Sequence, residues 1–255
     1  MKFPTRLTVL LLNATGTTAH YFWPWFIVNG TQFAQWKYVR DVAGAGYYSD
    51  EVVDKTEPQF DLYSTNFTCG RLAFASAEKT ETADVLAGSL VGFRVHEGLP
   101  EPDANYSGLQ HPGPAQAYLA RVPQAVSIKD FSGIDGEWFK IAALLAETDT
   151  QWVAGNYDHR VINFTLPATT PPGKYLLRFE QFWPSPSFLQ TQFYVNCAQI
   201  NVINHGAAGS LDGYPFAKFP GAYDYMDTGI WAGNELGNNQ GLLKYVAPGP
   251  AVWKG

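Results

Sequence analysis

Short alternating runs set the strongest limit on how this chain can fold. "AGSLVGFRV", "AQAYLARV", "RVINFTLP", "GKYLLRFEQF" and "TQFYVNCAQINVI" mix apolar and polar residues with a period near two, and Gly, Pro, Asn or Asp separates them. That period sends successive side chains to opposite faces of an extended strand, so each run needs pairing partners and a face to bury. Many such runs predict an all-β protein, an immunoglobulin-like or fibronectin-type β-sandwich with short helical turns. The 24 glycines and 17 prolines fit long surface loops, where the sites of a sandwich usually lie. One segment, "WFKIAALLAETD", reads instead as a brief helix or helical turn. No Ser/Pro/Thr-rich linker divides the chain, so residues 20–255 are expected to form one domain.

Residues 1–19, "MKFPTRLTVLLLNATGTTA", have the layout of a secretory signal peptide: Lys2 and Arg6 in front, an apolar core from Leu7 to Leu12, then small polar residues with Thr17 and Ala19 at the cleavage site. The core falls far short of the ~20 residues that span a bilayer, so a membrane anchor is not expected. Export fits the sequons at Asn29, Asn66, Asn105 and Asn163, which are candidates for glycosylation. The chain has two cysteines, Cys69 and Cys197. In an oxidising compartment one long-range disulfide is the natural reading, two unpaired core thiols the other. Cleavage after Ala19 removes two of 17 basic residues against 23 acids, leaving a net charge of −8. Such a surface favours neither nucleic acid nor anionic membranes. The 15% aromatic content suits a neutral partner with faces to stack on.

Cleavage there makes His20 the amino terminus, with two nitrogen donors in one residue. The α-amine, with an ordinary pKa near 7.7 to 8.0, gives up its proton to a metal more readily than a lysine does. A third nitrogen would complete a planar set, and copper leads the divalent metals at such nitrogen-rich sites. His111, in "GLQHPGPAQAYLARV", is the candidate, on a loop stiffened by Pro112 and Pro114. Tyr194, in "TQFYVNC", is the remaining one: alternation puts it with Gln192 on one face of a strand and Phe193, Val195 and Cys197 on the other. His96, His159 and His205 read as surface or loop residues. Asp and Glu show no spacing that singles out the carboxylate pair of a glycosidase.

From "HYFWPWFIVNGT" through "CGRLAFASAEKTETADVLAG", "HPGPAQAYLA", "PPGKYLLRFE" and "QFYVNCAQINV" to "PGPAVWKG", the chain resembles the auxiliary activity family 9 lytic polysaccharide monooxygenases, formerly glycoside hydrolase family 61. The resemblance implies a secreted fungal β-sandwich holding one copper ion in a histidine brace; a monomer is the default expectation. It matches His20 and His111 to the brace histidines, Tyr194 to the axial tyrosine, and Cys69 and Cys197 to the family's disulfide. It further implies an external electron donor, O₂ or H₂O₂ as co-substrate, and oxidation of β-1,4-linked glycans, cellulose or hemicellulose, at C1 or C4.

Departures from the family pattern are local. Aligning Arg178 and Glu180 with "LRxEHIALHxA" puts Ser185 where a second histidine normally meets the oxygen species beside the metal, together with the glutamine matched by Gln192. A serine is shorter and cannot become cationic near neutral pH. Gln181 stands for the histidine after the glutamate, a position that reads as structural. The tyrosine that stacks on a sugar ring aligns with Glu235, and Trp231 appears four residues earlier. Tyr21, Trp231 and Tyr245 are the candidates for a replacement glycan surface, while Trp36, Trp138 and Trp152 are assigned to the core. The expectation is a copper-dependent polysaccharide monooxygenase; the alternative is a secreted copper- or glycan-binding protein that keeps the brace with weak or no oxidation.

Overall fold

The computed structural model describes residues 20–97, 109, 111–134, 136–154 and 160–255; the leader, Asn105 and His159 lie outside them. In chain order the strands are β1 (Phe22–Val28), β2 (Thr31–Gln32), β3 (Ala83–Leu86), β4 (Leu90–His96), β5 (Ala115–Arg121), β6 (Trp138–Leu144), β7 (Ala146–Thr148), β8 (Gln151–Trp152), β9 (Val161–Thr165), β10 (Gly173–Trp183) and β11 (Gln192–Ile203). One sheet has the order β2-β1-β4-β9 and the other β3-β11-β10-β5-β6, with β7-β8 as a separate hairpin. The expected β-sandwich is present, and the alternating runs fall on β4, β5, β9, β10 and β11.

Local chemistry explains the entry into the first sheet. Asn29 and Gly30 take φ of 47° and 81°, the positive values that a two-residue hairpin needs to follow the twist of β1 and β2. Pro24 has no N–H for the ladder, and the β1–β4 register shifts between Phe22 and Trp25. The expected helix at Trp138–Asp149 is absent, because those residues form β6 and the start of the β7-β8 hairpin. β6 pairs with β5 from Ala115↔Leu144 to Ala120↔Trp138. That pairing buries Trp138 and Phe139 completely, which overrides the helix preference of the Ala-Ala-Leu-Leu stretch.

The larger sheet is covered on both sides. Toward the other sheet, Tyr175, Leu177 and Phe179 of β10 and Ala198, Ile200 and Val202 of β11 join Phe26, Phe93 and Phe164 in the central core. Their neighbours point the other way, where Leu176, Phe182, Phe193, Val195 and Cys197 meet Leu62, Phe67, Phe219 and Tyr223 from the loops. Arg178 ties this second layer down. Its guanidinium donates to the Thr68 and Phe67 carbonyls at 3.0 and 3.1 Å, lies 3.8 Å from the Phe219 ring centre, and pairs with Glu180 at 2.7 Å. Glu180 also accepts from the Tyr223 hydroxyl and, at 3.2 Å, from the Gln116 amide. A charge this deep is tolerated only when its polar atoms are matched in this way.

The same loop layer holds the Cys69–Cys197 disulfide, which closes a separation of 128 residues. Closing so long a loop contributes on the order of 4 to 5 kcal/mol in the chain-entropy model. Cys197 and Tyr194 lie on opposite faces of β11, so the bridge stabilises the strand without facing the phenol. Cys69→Ala should therefore lower stability by about 2 to 5 kcal/mol, read as a fall in Tm, while the copper paramagnetic resonance spectrum stays as it is. A changed spectrum would show that the loop layer reaches the metal.

Candidate metal centre

Three segments far apart in sequence meet at one end of the sandwich. His20 precedes β1, His111 sits on the loop before β5, and Tyr194 lies near the start of β11. The His20 and His111 ring centres are 5.5 Å apart, and each is about as far from the Tyr194 ring, at 6.4 and 6.3 Å. The structure thus brings these three residues together in one cluster.

The placement has identifiable causes. Gly113 of "HPGPA" lets the loop rest on β10, since a Cβ there would stand 1.9 Å from the Phe182 carbonyl oxygen. Behind it, the Phe182 N–H donates to the Pro114 carbonyl at 3.2 Å. Gln181 is buried beneath the loop and donates from Nε2 to the His111 carbonyl at 2.9 Å. Its Oε1 accepts a hydrogen bond from the Tyr21 hydroxyl, which also lies 3.3 Å from that carbonyl. Tyr21 stacks on Tyr194 at 3.8 Å, and Trp183 flanks the His111 ring at 5.4 Å.

The polar atoms show what the site can hold. His111 Nε2 is buried with no hydrogen-bond partner, an arrangement that costs free energy unless something fills it. Burial, and then the neighbouring His20, lower the His111 pKa to about 4, so its ring is neutral and Nε2 is able to offer a lone pair once the proton sits on Nδ1. Burial, then Tyr21 and Glu57, push the Tyr194 phenol well above its ordinary value, which keeps it a neutral oxygen. Its hydroxyl donates to Gln192 Oε1 at 2.7 Å. Among the described residues no three His, Cys, Asp or Glu side chains gather as a metal cluster. The unpartnered Nε2, the two imidazoles and the neutral phenol together fit a copper ion.

Several expectations need correction. Tyr21 and Tyr245 are 1% and 7% exposed, so neither is a glycan contact surface. Tyr245 packs edge-on against Trp152 at 5.0 Å and donates to the Gly229 carbonyl at 2.7 Å. Trp231, 41% exposed, does face solvent. Its indole N–H is held by the Pro186 carbonyl at 2.9 Å, with Phe188 beside it at 5.0 Å. Ser185 does not present its hydroxyl to the cluster: it is buried, and its Oγ accepts from the Ser187 N–H at 3.1 Å. His96 is no surface residue but lies buried on β4, between the Phe22 and Trp25 rings at 4.9 and 5.4 Å. Trp138 and Trp152 are core as expected, and Trp36 is partly buried on Phe22.

Sequence reasoning missed Glu57, whose Oε1 lies 3.0 Å from His20 Nδ1. It belongs to no motif, and only a long-range bridge between Gln59 and Phe193 of β11 brings it in. The role of Gln181 was discoverable from register, because it is the direct cross-strand partner of Tyr194.

The family model of Auxiliary Activity family 9 (formerly GH61) matches residues 20–240. The AA9 family lytic polysaccharide monooxygenase U of Thermothielavioides terrestris is 47% identical over 253 residues, covering 94% of each chain. The AA9 family lytic polysaccharide monooxygenase C of Emericella nidulans is 33% identical over the full length of both. Among solved structures, CvAA9A superposes with a TM-score of 0.70 at 24% identity, covering 92% of this chain and 98% of its own. HiLPMO9B does so with 0.66 at 22%, covering 92% and 100%. At these identities the two structures establish the shared fold.

The lowered His111 pKa has a direct consequence. The unfolded chain takes up a proton on this residue near pH 6.5 and the folded chain only near 4, so His111 withdraws stability as pH falls through that interval. In the metal-free protein the His111 imidazole resonances should stay at their neutral positions down to about pH 5. Titration near 6.5 would mean the ring is solvated.

Proposed function

The chain belongs to auxiliary activity family 9 and is a copper-dependent polysaccharide monooxygenase; we propose that it works with His20 as its mature amino terminus, the α-amine and imidazole of His20 and His111 Nε2 holding the metal, and Tyr194 beside it. The observation that carries the residue assignment is the buried His111 Nε2, which has no hydrogen-bond partner and faces the cluster that includes His20. When bound, copper supplies the one-electron chemistry by which an external reductant and O₂ or H₂O₂ generate an oxidant able to take hydrogen from a glycosidic carbon.

The chain's own residues set the conditions for that chemistry. Gln181 and Tyr21 fix the His111 backbone, so its ring is presented at a constant height. The Gln192 amide, 2.7 Å from the Tyr194 hydroxyl through its oxygen, holds the phenol proton away from the metal position and leaves its own N–H groups to meet an incoming oxygen. Phe188, on the turn that follows Trp183, and Trp231, which packs beside it from the C-terminal segment, offer exposed faces on which a β-1,4-linked glycan, cellulose or hemicellulose, can stack. The leader sequence supports export to the extracellular space, where such a substrate is met. The binding-only alternative is not favoured.

The mature protein beginning at His20 should bind one Cu(II) with a nitrogen-rich paramagnetic resonance spectrum. With ascorbate and phosphoric-acid-swollen cellulose or a hemicellulose panel, it should release oxidised oligosaccharides. His111→Ala should remove tight copper binding with little loss of Tm. A form with one extra alanine before His20 should lose tight binding equally, because its α-nitrogen at His20 becomes an amide. Tight binding by the extended form would overturn the role of the terminal amine.

A further inference from the structure

A cavity of about 740 Å³ opens at the end of the larger sheet opposite the histidines. It forms where β5 and β11 finish and β10 begins, with Arg121, Lys174 and Asn201 in its wall. Lys174 precedes Gln181 by seven residues on β10, and Asn201 follows Tyr194 by seven on β11. At about 3.3 Å per residue, some 23 Å of strand separates this cavity from the metal centre.

Its charge differs from that of the chain as a whole. The sequence has 23 acidic against 17 basic residues, and Lys37, Lys55, Lys129 and Arg178 are each paired with a carboxylate. Among the described residues, neither Arg121 nor Lys174 has a carboxylate partner. Arg121 donates from Nη2 to the Pro172 carbonyl at 2.9 Å, which fixes the guanidinium at the rim. Gly173, at φ 144°, leaves it room: a Cβ there would stand 3.3 Å from Arg121 Nε. Lys174 and Asn201 are direct cross-strand partners, so their side chains are neighbours on one face. The Asn201 amide donates to Asp84 at 2.7 Å, which engages that acid with an amide and not with Lys174.

The remaining walls narrow the anion to one carried by a sugar. Gln124 and Asn201 bring amides suited to hydroxyl groups, and Val122, Pro123 and Val126 an apolar side suited to the C–H face of a pyranose ring. Arg121 and Pro123 also border a neighbouring cavity of about 380 Å³, where the half-buried Phe131 and Phe216 add ring faces, Lys218 a further cation and Glu137 one acid. We propose that this end of the sandwich is a second glycan-binding site, selective for a saccharide that bears a carboxylate: a uronate side group of hemicellulose or the aldonate end left after oxidation at C1. The choice of a saccharide rests on the polysaccharide reading above, whereas the preference for an anion rests on the two unpaired cations. Bound there, the protein is tethered to one chain while its metal end stays open to another.

The test is calorimetric titration of the copper-loaded mature protein, without reductant, against a glucuronic-acid-substituted xylo-oligosaccharide, cellobionate, and the neutral xylotetraose and cellobiose. An acidic sugar should bind about tenfold more tightly than its neutral counterpart, the scale of one charge-assisted hydrogen bond. That binding should weaken with added salt and shift the amide resonances of Gln124, Lys174 and Asn201. Which acidic sugar binds identifies the source of the carboxylate. Lys174→Gln and Arg121→Gln should each weaken binding about tenfold and leave the copper paramagnetic resonance spectrum as it is. Lys244→Gln, an exposed control outside both cavities, should leave binding unchanged. Equal affinity for acidic and neutral sugars, equal affinity for sodium sulfate and the acidic sugars, or resonance shifts confined to the metal end each overturn the proposal. None of these touches the copper reading, which falls instead if the same sample shows no nitrogen-rich copper spectrum.

Discussion

One buried amide determines whether the centre has a shape at all. Gln181 reaches from β10 to the His111 carbonyl with its nitrogen and receives the Tyr21 hydroxyl with its oxygen. Three segments that share no local sequence thus converge on one side chain: the strand that follows His20, the proline-rich loop and the middle of the larger sheet. Buried polar groups are costly when half-satisfied, so this triangle is stable only in the arrangement that also aligns the two histidines. The stacking of Tyr21 on Tyr194 extends the same constraint to β11.

The larger sheet makes that constraint rigid. Because loops cover its outer face as fully as the smaller sheet covers its inner one, β10 and β11 cannot shift register without exposing one core or the other. Arg178, Glu180 and the disulfide fasten the covering loops from inside. The metal-binding end is therefore built on strands held from both sides, with variation left to the turns at their tips.

What the sequence revealed follows from the range of the forces involved. Strand alternation is local, so β4, β5, β9, β10 and β11 were legible, as was the split of Tyr194 from Cys197 across β11. His20, His111 and Tyr194 were legible through a family pattern and not through spacing, since the contacts that join their segments are long-range: Tyr21 and His111 are 90 positions apart, Trp23 and Asn196 173. Burial is a property of the whole fold, which is why Tyr21, Tyr245 and His96 read as more exposed than they are. Helix preference at Trp138–Asp149 lost to pairing with β5, a partner some twenty residues away that composition cannot reveal. Glu57 had no signal of any kind, because its position depends on a bridge from Gln59 to Phe193.

The glycine of the proline-rich loop carries an implication for how such a protein can diversify. With the Phe182 carbonyl oxygen pressed against the loop backbone, not even a methyl group fits at position 113. Any side chain there would push the loop off the strand, so the height of the neighbouring imidazole is tied to that glycine. The outward turn that carries Phe188 is under no such restriction, so its side chains can be exchanged without disturbing the reactive end.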